Sequence, residues 1–225
     1  MARWIHTTSP AAQTPDTATG RPLTILIQGG IASGKSTISQ LLAERGAEVL
    51  DCDRIAHEQL EDPEVRDALR EAFGAGVFAD DGTVSRPKLG GVVFSDPRAL
   101  AQLEALVHPR VANAVRAHLA ARARPAGEPR AVVVVDAAVA DKMQLVERYD
   151  VRVFVDASQE TRAARAAARG WAPGELERRE RNQEALETKR SRASYVLTNE
   201  GGLEQAAQRV AELWDTQVEP QRRAS

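Results

Sequence analysis

Gly29-Gly30-Ile31-Ala32-Ser33-Gly34-Lys35-Ser36 has the phosphate-binding spacing G-x-x-x-x-G-K-[ST], with Thr37 directly after it. The spacing has a physical cause. Gly29 and Gly34 let the backbone curl so that successive N–H groups point inward at phosphate oxygens, and the N-terminus of a following helix attracts the same anion. Lys35 is expected to reach the β- and γ-phosphates, and the Ser36 hydroxyl to ligate Mg²⁺. The flanks have the order such a loop needs. Leu23-Thr24-Ile25-Leu26-Ile27 is a short β-rich run before it, and Ile38, Leu41 and Leu42 follow at the spacing of a buried helix face. The expected nucleotide contacts are Gly30, Ile31, Ala32, Ser33, Gly34, Lys35, Ser36 and Thr37.

Composition agrees with this reading without pointing to it. The chain of 225 residues is long enough for one α/β domain with an insertion or lid. It carries 30 Lys+Arg against 32 Asp+Glu, and a net charge of -2 gives no general reason to expect nucleic acid or an anionic membrane as partner. Cys52 is the only cysteine, so no internal disulfide forms, and nothing suggests an oxidising compartment. No apolar stretch approaches the ~20 residues that span a bilayer, and no signal-peptide apolar region is visible. The expectation is a cytoplasmic protein.

Residues 1–20, rich in Thr, Ala and Pro, read as a disordered extension before the first strand. After the loop and its helix, Gly46 sits at a helix cap, and Ala47-Glu48-Val49-Leu50 makes a second strand ending in Asp51-Cys52-Asp53. In a right-handed βαβ unit these carboxylates open into the crevice that holds the phosphate loop. If the chain stays extended there, the period of two turns Asp51 and Asp53 to one face. One then accepts a proton from an attacking hydroxyl while the other orients a group or a Mg²⁺-bound water. The alternative is that either one caps the helix starting near Arg54.

From Arg54 to Arg124 the apolar spacing is helical, with a break at Gly74 to Gly82, so a helical insertion follows the second strand. An insertion beside a phosphate loop is where a kinase houses its acceptor, since the donor occupies the loop. Ala131 to Val135 is a continuous apolar run suited to a strand buried on both faces, ending in Asp136, which reads either as an outer-shell Mg²⁺ ligand or as a loop carboxylate. Val151 to Val155 and Tyr195 to Leu197 are a fourth and a fifth strand. Leu203 to Trp214 is a final helix with positions 203, 207, 210 and 214 on one face. Between those strands Arg162, Arg165 and Arg169 recur at helical spacing, followed by Gly170-Trp171-Ala172-Pro173-Gly174 and a charged helix with Arg178, Arg179 and Arg181. Such an Arg row can stabilise a transferred phosphoryl group from a closing lid, or it can be a solvated helix face. His57 and His108 are read either as site residues or as hydrogen-bonded structural side chains.

Several separated motifs, in order, carry a resemblance. The phosphate loop, Val49-Leu50-Asp51-Cys52-Asp53 with Ile55-Ala56-His57, Val93-Phe94-Ser95-Asp96-Pro97, Leu103-Glu104 and Val107-His108-Pro109 resemble dephospho-CoA kinase. Arg165, Arg169, Gln183, Lys189 and Ala193-Ser194-Tyr195-Val196-Leu197-Thr198-Asn199-Glu200-Gly201 are similar to that family's lid, last strand and turn, so the likeness runs from Leu23 to Trp214. It implies transfer of the γ-phosphoryl group of ATP to the ribose 3′-hydroxyl of dephospho-CoA. By the same likeness Asp53 is the general base, Lys35 and the loop amides hold ATP, Ser36 binds Mg²⁺, and Arg165 or Arg169 serves from the lid. Asp51, His57 and His108 belong to the acceptor side.

There are departures from that family's pattern. Asp136 is followed by Ala137-Ala138-Val139-Ala140-Asp141-Lys142, where the family usually has an apolar Pro-Leu-Leu stretch and a Glu. Ala32 replaces a usual Gly, and its methyl matters if that residue needs φ above zero. The expected fold class is α/β, a three-layer P-loop core with a parallel sheet. The plan is one kinase domain over 21–215, with core 21–55 and 130–215, an acceptor-binding insertion about 56–128, a lid about 162–185 and a tail at 216–225. The partner is a small molecule, with no nucleic acid and no membrane, and the protein is a monomer or weak homo-oligomer. The rivals are a kinase of the same core acting on another nucleotide or nucleoside, and a nucleotide-binding protein without transfer.

Overall fold

Residues 20–125, 127–137, 149–181 and 183–224 are described by a computed structural model. The extension read over 1–20 therefore lies, but for Gly20, outside the described residues, as do 138–142 of the atypical segment.

The first strand β1 (Leu23–Gly29) is buried along its whole length, the polar Thr24 and Gln28 included, as a central strand covered on both faces is. Helix α1 (Lys35–Glu44) follows the loop, and β2 (Glu48–Asp51) follows the turn at Gly46, whose φ of 97° only glycine adopts readily. The insertion then runs as α2 (Cys52–Leu60), α3 (Pro63–Phe73), a 3₁₀ turn (Ala75–Val77), α4 (Arg86–Val93) and the long α5 (Pro97–Ala120). Helices α3 and α5 each open on an Asp with Pro at the first helical position: Asp62 accepts from Glu64 and Val65 N, and Asp96 from Arg98 N.

Strands β3 (Val132–Asp136), β4 (Val151–Asp156) and β5 (Tyr195–Thr198) complete a five-stranded sheet of order β2-β3-β1-β4-β5 in which every pairing is parallel. The side-chain period of two divides β1 between two cores. Leu26, with Leu50, Val133 and Val135, packs under the insertion against Val65, Leu69, Val111 and Val115. Leu23, Ile25 and Ile27 point the other way, onto Ile38 and Leu42 of α1 and onto Val210 and Leu213 of α9 (Leu203–Leu213). The arrangement is thus the expected three-layer α/β core. Between β4 and β5 lie α6 (Gln159–Ala168), α7 (Glu175–Glu180) and α8 (Leu186–Ser191).

Three expectations need correction. The chain does not stay extended through Asp53: the helix begins at Cys52, and the Asp51 carboxylate accepts from Arg54 N at 2.9 Å. The capping alternative therefore holds for Asp51, because an orphan N–H of the first turn takes the nearest oxygen. On α9 the buried positions are Ala206, Val210 and Leu213, while Leu203, in the first turn, is 66% exposed. The stretch from 216 set apart as a tail continues the last helix through a π segment (Trp214–Val218) into α10 (Glu219–Arg223), with Val218 fully buried.

Candidate active site

The loop after β1 is built by backbone constraint. Gly29 has φ 153° and Gly34 φ 95°, and a methyl at Gly34 would lie 2.3 Å from the Asn199 amide nitrogen, so only glycine fits there. Ala32 does take the positive φ that its methyl makes costly, at 61°. That methyl is buried against Ala166 of α6 and Leu176 of α7, so the loop and these two helices share a small apolar cluster. Lys35 folds back over the loop and donates to the Gly29 and Gly30 carbonyls at 3.2 and 2.9 Å. Burial pushes its pKa down to about 8, opposed by Asp136 and Asp53 and reinforced by Lys189 and Arg169.

Three carboxylates gather at the carboxyl end of the sheet. Asp51 and Asp136 are register partners at the ends of β2 and β3, and Asp53 projects from the first turn of α2. Asp136 accepts from Ser39 Oγ at 3.0 Å, and its carboxyl is held above the usual range by burial, with Asp51 and Asp53 adding to the effect. Ser39 was not singled out from sequence; it lies one helical turn beyond Lys35, which is the signal available.

On the other side of Asp53 the insertion opens into a cleft of about 740 Å³. Asp53, His57, Glu104 and His108 line it, together with apolar walls from Leu60, Leu89, Val93, Phe94, Leu103 and Val107. So the structure brings both histidines to the cleft that the expected base also lines. Phe94 stands at it 79% exposed. Cys52 is buried there, and desolvation pushes its thiol up to about 12, which leaves it un-ionised.

The arginines between β4 and β5 separate into different jobs. Arg165 donates to the Ser33 carbonyl and to the Asn199 carbonyl, both at 3.0 Å, and so braces the loop. Arg169, at the C-cap of α6, is exposed and acts electrostatically on Lys35. Arg162 is buried, donating to the Ala157 carbonyl and pairing with Glu180. Arg178 and Arg179 pair with Glu175, and Arg179 stacks on Trp171 at 4.2 Å. No helix among the described residues is long and apolar enough to cross a membrane.

The dephospho-CoA kinase family model matches residues 23–205. The chain belongs to the dephospho-CoA kinase family. A dephospho-CoA kinase of Leifsonia xyli is 41% identical over 191 residues, covering 84% of this chain and 95% of its own. Among solved structures, one from Thermus thermophilus has 35% identity and a TM-score of 0.72, covering 85% of this chain and 95% of that one. A dephospho-CoA kinase from Campylobacter jejuni, with a TM-score of 0.57 at 16% identity over 85% of this chain and 95% of its own, shares the fold. Membership of the dephospho-CoA kinase family makes the protein a kinase with a phosphate-loop nucleotide site.

Proposed function

We propose that the protein transfers the γ-phosphoryl group of ATP to the ribose 3′-hydroxyl of dephospho-CoA, giving CoA and ADP. The observation that carries this is that Asp53 lines the 740 Å³ cleft and also acts electrostatically on Lys35. The amides from Gly30 to Thr37 and the Lys35 ammonium hold the phosphates of ATP. The acceptor enters the cleft, whose apolar walls suit the pantetheine arm, while Asp51, His57 and His108 bear on its polar end.

Asp53 accepts the proton of the 3′-hydroxyl as that oxygen bonds to the γ-phosphorus and the bond to the ADP oxygen breaks. Lys35 and Arg169 balance the charge on the transferred group, and Arg165 keeps the loop in shape by its bond to Ser33. Hydroxyl and carboxylate oxygens are donors a hard cation favours. The exposed Ser36, in the first turn of α1, would therefore hold Mg²⁺ with the nucleotide, and Asp136 would act at one remove through bound water. Magnesium neutralises phosphate charge there when bound. A free, buried thiol and an acceptor that is a soluble metabolite suit action in the cytoplasm.

The test is CoA formation from Mg·ATP and dephospho-CoA by the purified chain, with nucleoside monophosphates as competing acceptors. Asp53→Asn should bind both substrates and lose about 10²–10⁴-fold in kcat. No CoA from the intact chain overturns the acceptor, and normal turnover by Asp53→Asn overturns the base.

A further inference from the structure

Helix α4 turns one face to the cleft. Arg86 in its first turn, Gly90 and Val93 along it and Phe94 at its C-cap all line the cavity, and spacings of four and three keep Arg86, Gly90 and Val93 on one side. Among the described residues that line it, Arg86 is the one Lys or Arg; Asp53 and Glu104 are the carboxylates, with His57 and His108 beside them. Arg86 is exposed, and among the described residues no hydrogen bond or ion pair holds it. Its place does nothing for the helix: a cation in the first turn opposes the macrodipole, and no acidic residue stands in that turn to offset it.

Two carboxylates repel an anion that enters the cleft, so a dianionic ligand needs a cation there to offset them. The acceptor proposed above is such a ligand, since a diphosphate joins its adenosine to its pantetheine arm. The Lys35 ammonium is engaged elsewhere, by the Gly29 and Gly30 carbonyls of the phosphate loop, and Arg165 by the Ser33 carbonyl. Arg86 is free to turn its N–H donors to phosphate oxygens, which a guanidinium matches bidentately. One turn on, Gly90 presents no side chain, and a methyl there would touch only the Phe94 ring, at 3.5 Å. A ligand gripped at Arg86 can therefore lie flat on α4 and reach Phe94, about 12 Å further along the axis.

We infer that the Arg86 guanidinium binds the diphosphate of the acceptor and sets its direction in the cleft, with the pantetheine arm running along α4 from Arg86 to Phe94. This rests on the proposed acceptor. Arg86 takes no part in the transfer itself: it fixes where the adenosine end stands, while Asp53 meets the hydroxyl.

The test uses the full chain carrying Arg86→Met, which keeps the apolar stem, and Arg86→Lys, which keeps the charge without the fork. Arg86→Met should raise the KM for dephospho-CoA about ten- to a hundredfold, with kcat and the KM for ATP little changed, and Arg86→Lys should recover part of the loss. The wild-type KM should rise with added salt more steeply than that of Arg86→Met. Calorimetric titration of protein saturated with Mg·ADP, so that the phosphate loop is filled, should show the same loss for dephospho-CoA and none for pantetheine, which has no phosphate. Arg86→Gln serves in place of Arg86→Met should that variant not fold. A folded charge-free variant with the wild-type KM and affinity for dephospho-CoA overturns the inference. Equal losses for dephospho-CoA and pantetheine make Arg86 part of the apolar wall and overturn it as well. If the wild type makes no CoA, the transfer reading fails, and the dephospho-CoA titration decides the Arg86 contact by itself: no binding, or equal binding by Arg86→Met, overturns it.

Discussion

Asn199 donates its side-chain amide to the Ser33 carbonyl at 2.8 Å, so that the turn after β5 clamps the phosphate loop across 166 residues of chain. Arg165 reaches the same carbonyl at 3.0 Å from α6. The loop that binds nucleotide is therefore held from its outer side by the carboxyl-terminal third of the chain.

Removing one of two donors leaves the Ser33 carbonyl still bonded, so Asn199→Ala should cost only about 1 kcal/mol of stability. The KM for ATP should nonetheless rise, because loop geometry is less restrained. Gly34→Ala is the severe case, combining a φ of 95° with a methyl 2.3 Å from the Asn199 nitrogen. It should abolish ATP binding in a calorimetric titration. Wild-type ATP affinity in Gly34→Ala would show that the clamp does not shape the loop.

Ala32 poses a quantitative question. Its φ of 61° costs roughly 1–2 kcal/mol relative to a right-handed conformation. Replacing it with Gly relieves that strain but releases about 0.4–1 kcal/mol of unfolded-chain entropy. It also deletes a buried methyl against Ala166 and Leu176, worth about 0.8 kcal/mol. The effects nearly cancel, so Ala32→Gly should move Tm by only a few degrees in a scanning experiment. A large rise would mean that the methyl contributes nothing to the contact between loop and lid.

How much of this was readable in the sequence depends on the range of the contact. The loop, its strand and its helix are local, and so is the apolar run of β3, buried on both faces. The Asp51 cap is local as well, yet spacing left it undecided, because an extended dipeptide and a helix N-cap take the same residue. Ser39 with Asp136, and Arg165 and Asn199 with Ser33, are long-range pairs that no periodicity encodes. Lys189, named only through its likeness to the family's lid, is buried at 3% exposure, which no local spacing encodes. Leu203 misled because a leucine in the first turn extends the helical spacing whether or not the core reaches that far.

The depressed pKa of Lys35 makes nucleotide binding pH-dependent with a definite sign. Burial holds it near 8 in the free protein, and bound phosphates favour the charged form and raise it. Binding of Mg·ATP should therefore take up a proton above about pH 8, and affinity should fall by up to about tenfold per pH unit as pH rises further. Titrations in two buffers of different ionisation enthalpy measure the uptake, and Lys35→Met should remove it. Stability of the free protein runs the opposite way. The unfolded chain holds the Lys35 proton up to 10.5 and the folded chain releases it near 8, so this group's contribution grows as pH rises through that window.

Phe94 separates binding from stability. It is 79% exposed at the end of α4 and faces the cleft, so the fold gains little from its ring and Phe94→Ala should leave Tm nearly unchanged. If the acceptor lies in the cleft as proposed it covers the ring, and an aromatic that becomes buried on binding can contribute about 1–3 kcal/mol. The KM for dephospho-CoA should then rise by about ten- to a hundredfold, with kcat little affected, because the ring lies apart from the phosphoryl group. A dephospho-CoA analogue lacking the pantetheine arm should not discriminate between Phe94→Ala and the wild type, which assigns the contact to the arm. Equal loss with both acceptors would place the ring against the nucleotide end and reverse the orientation of the acceptor in the cleft.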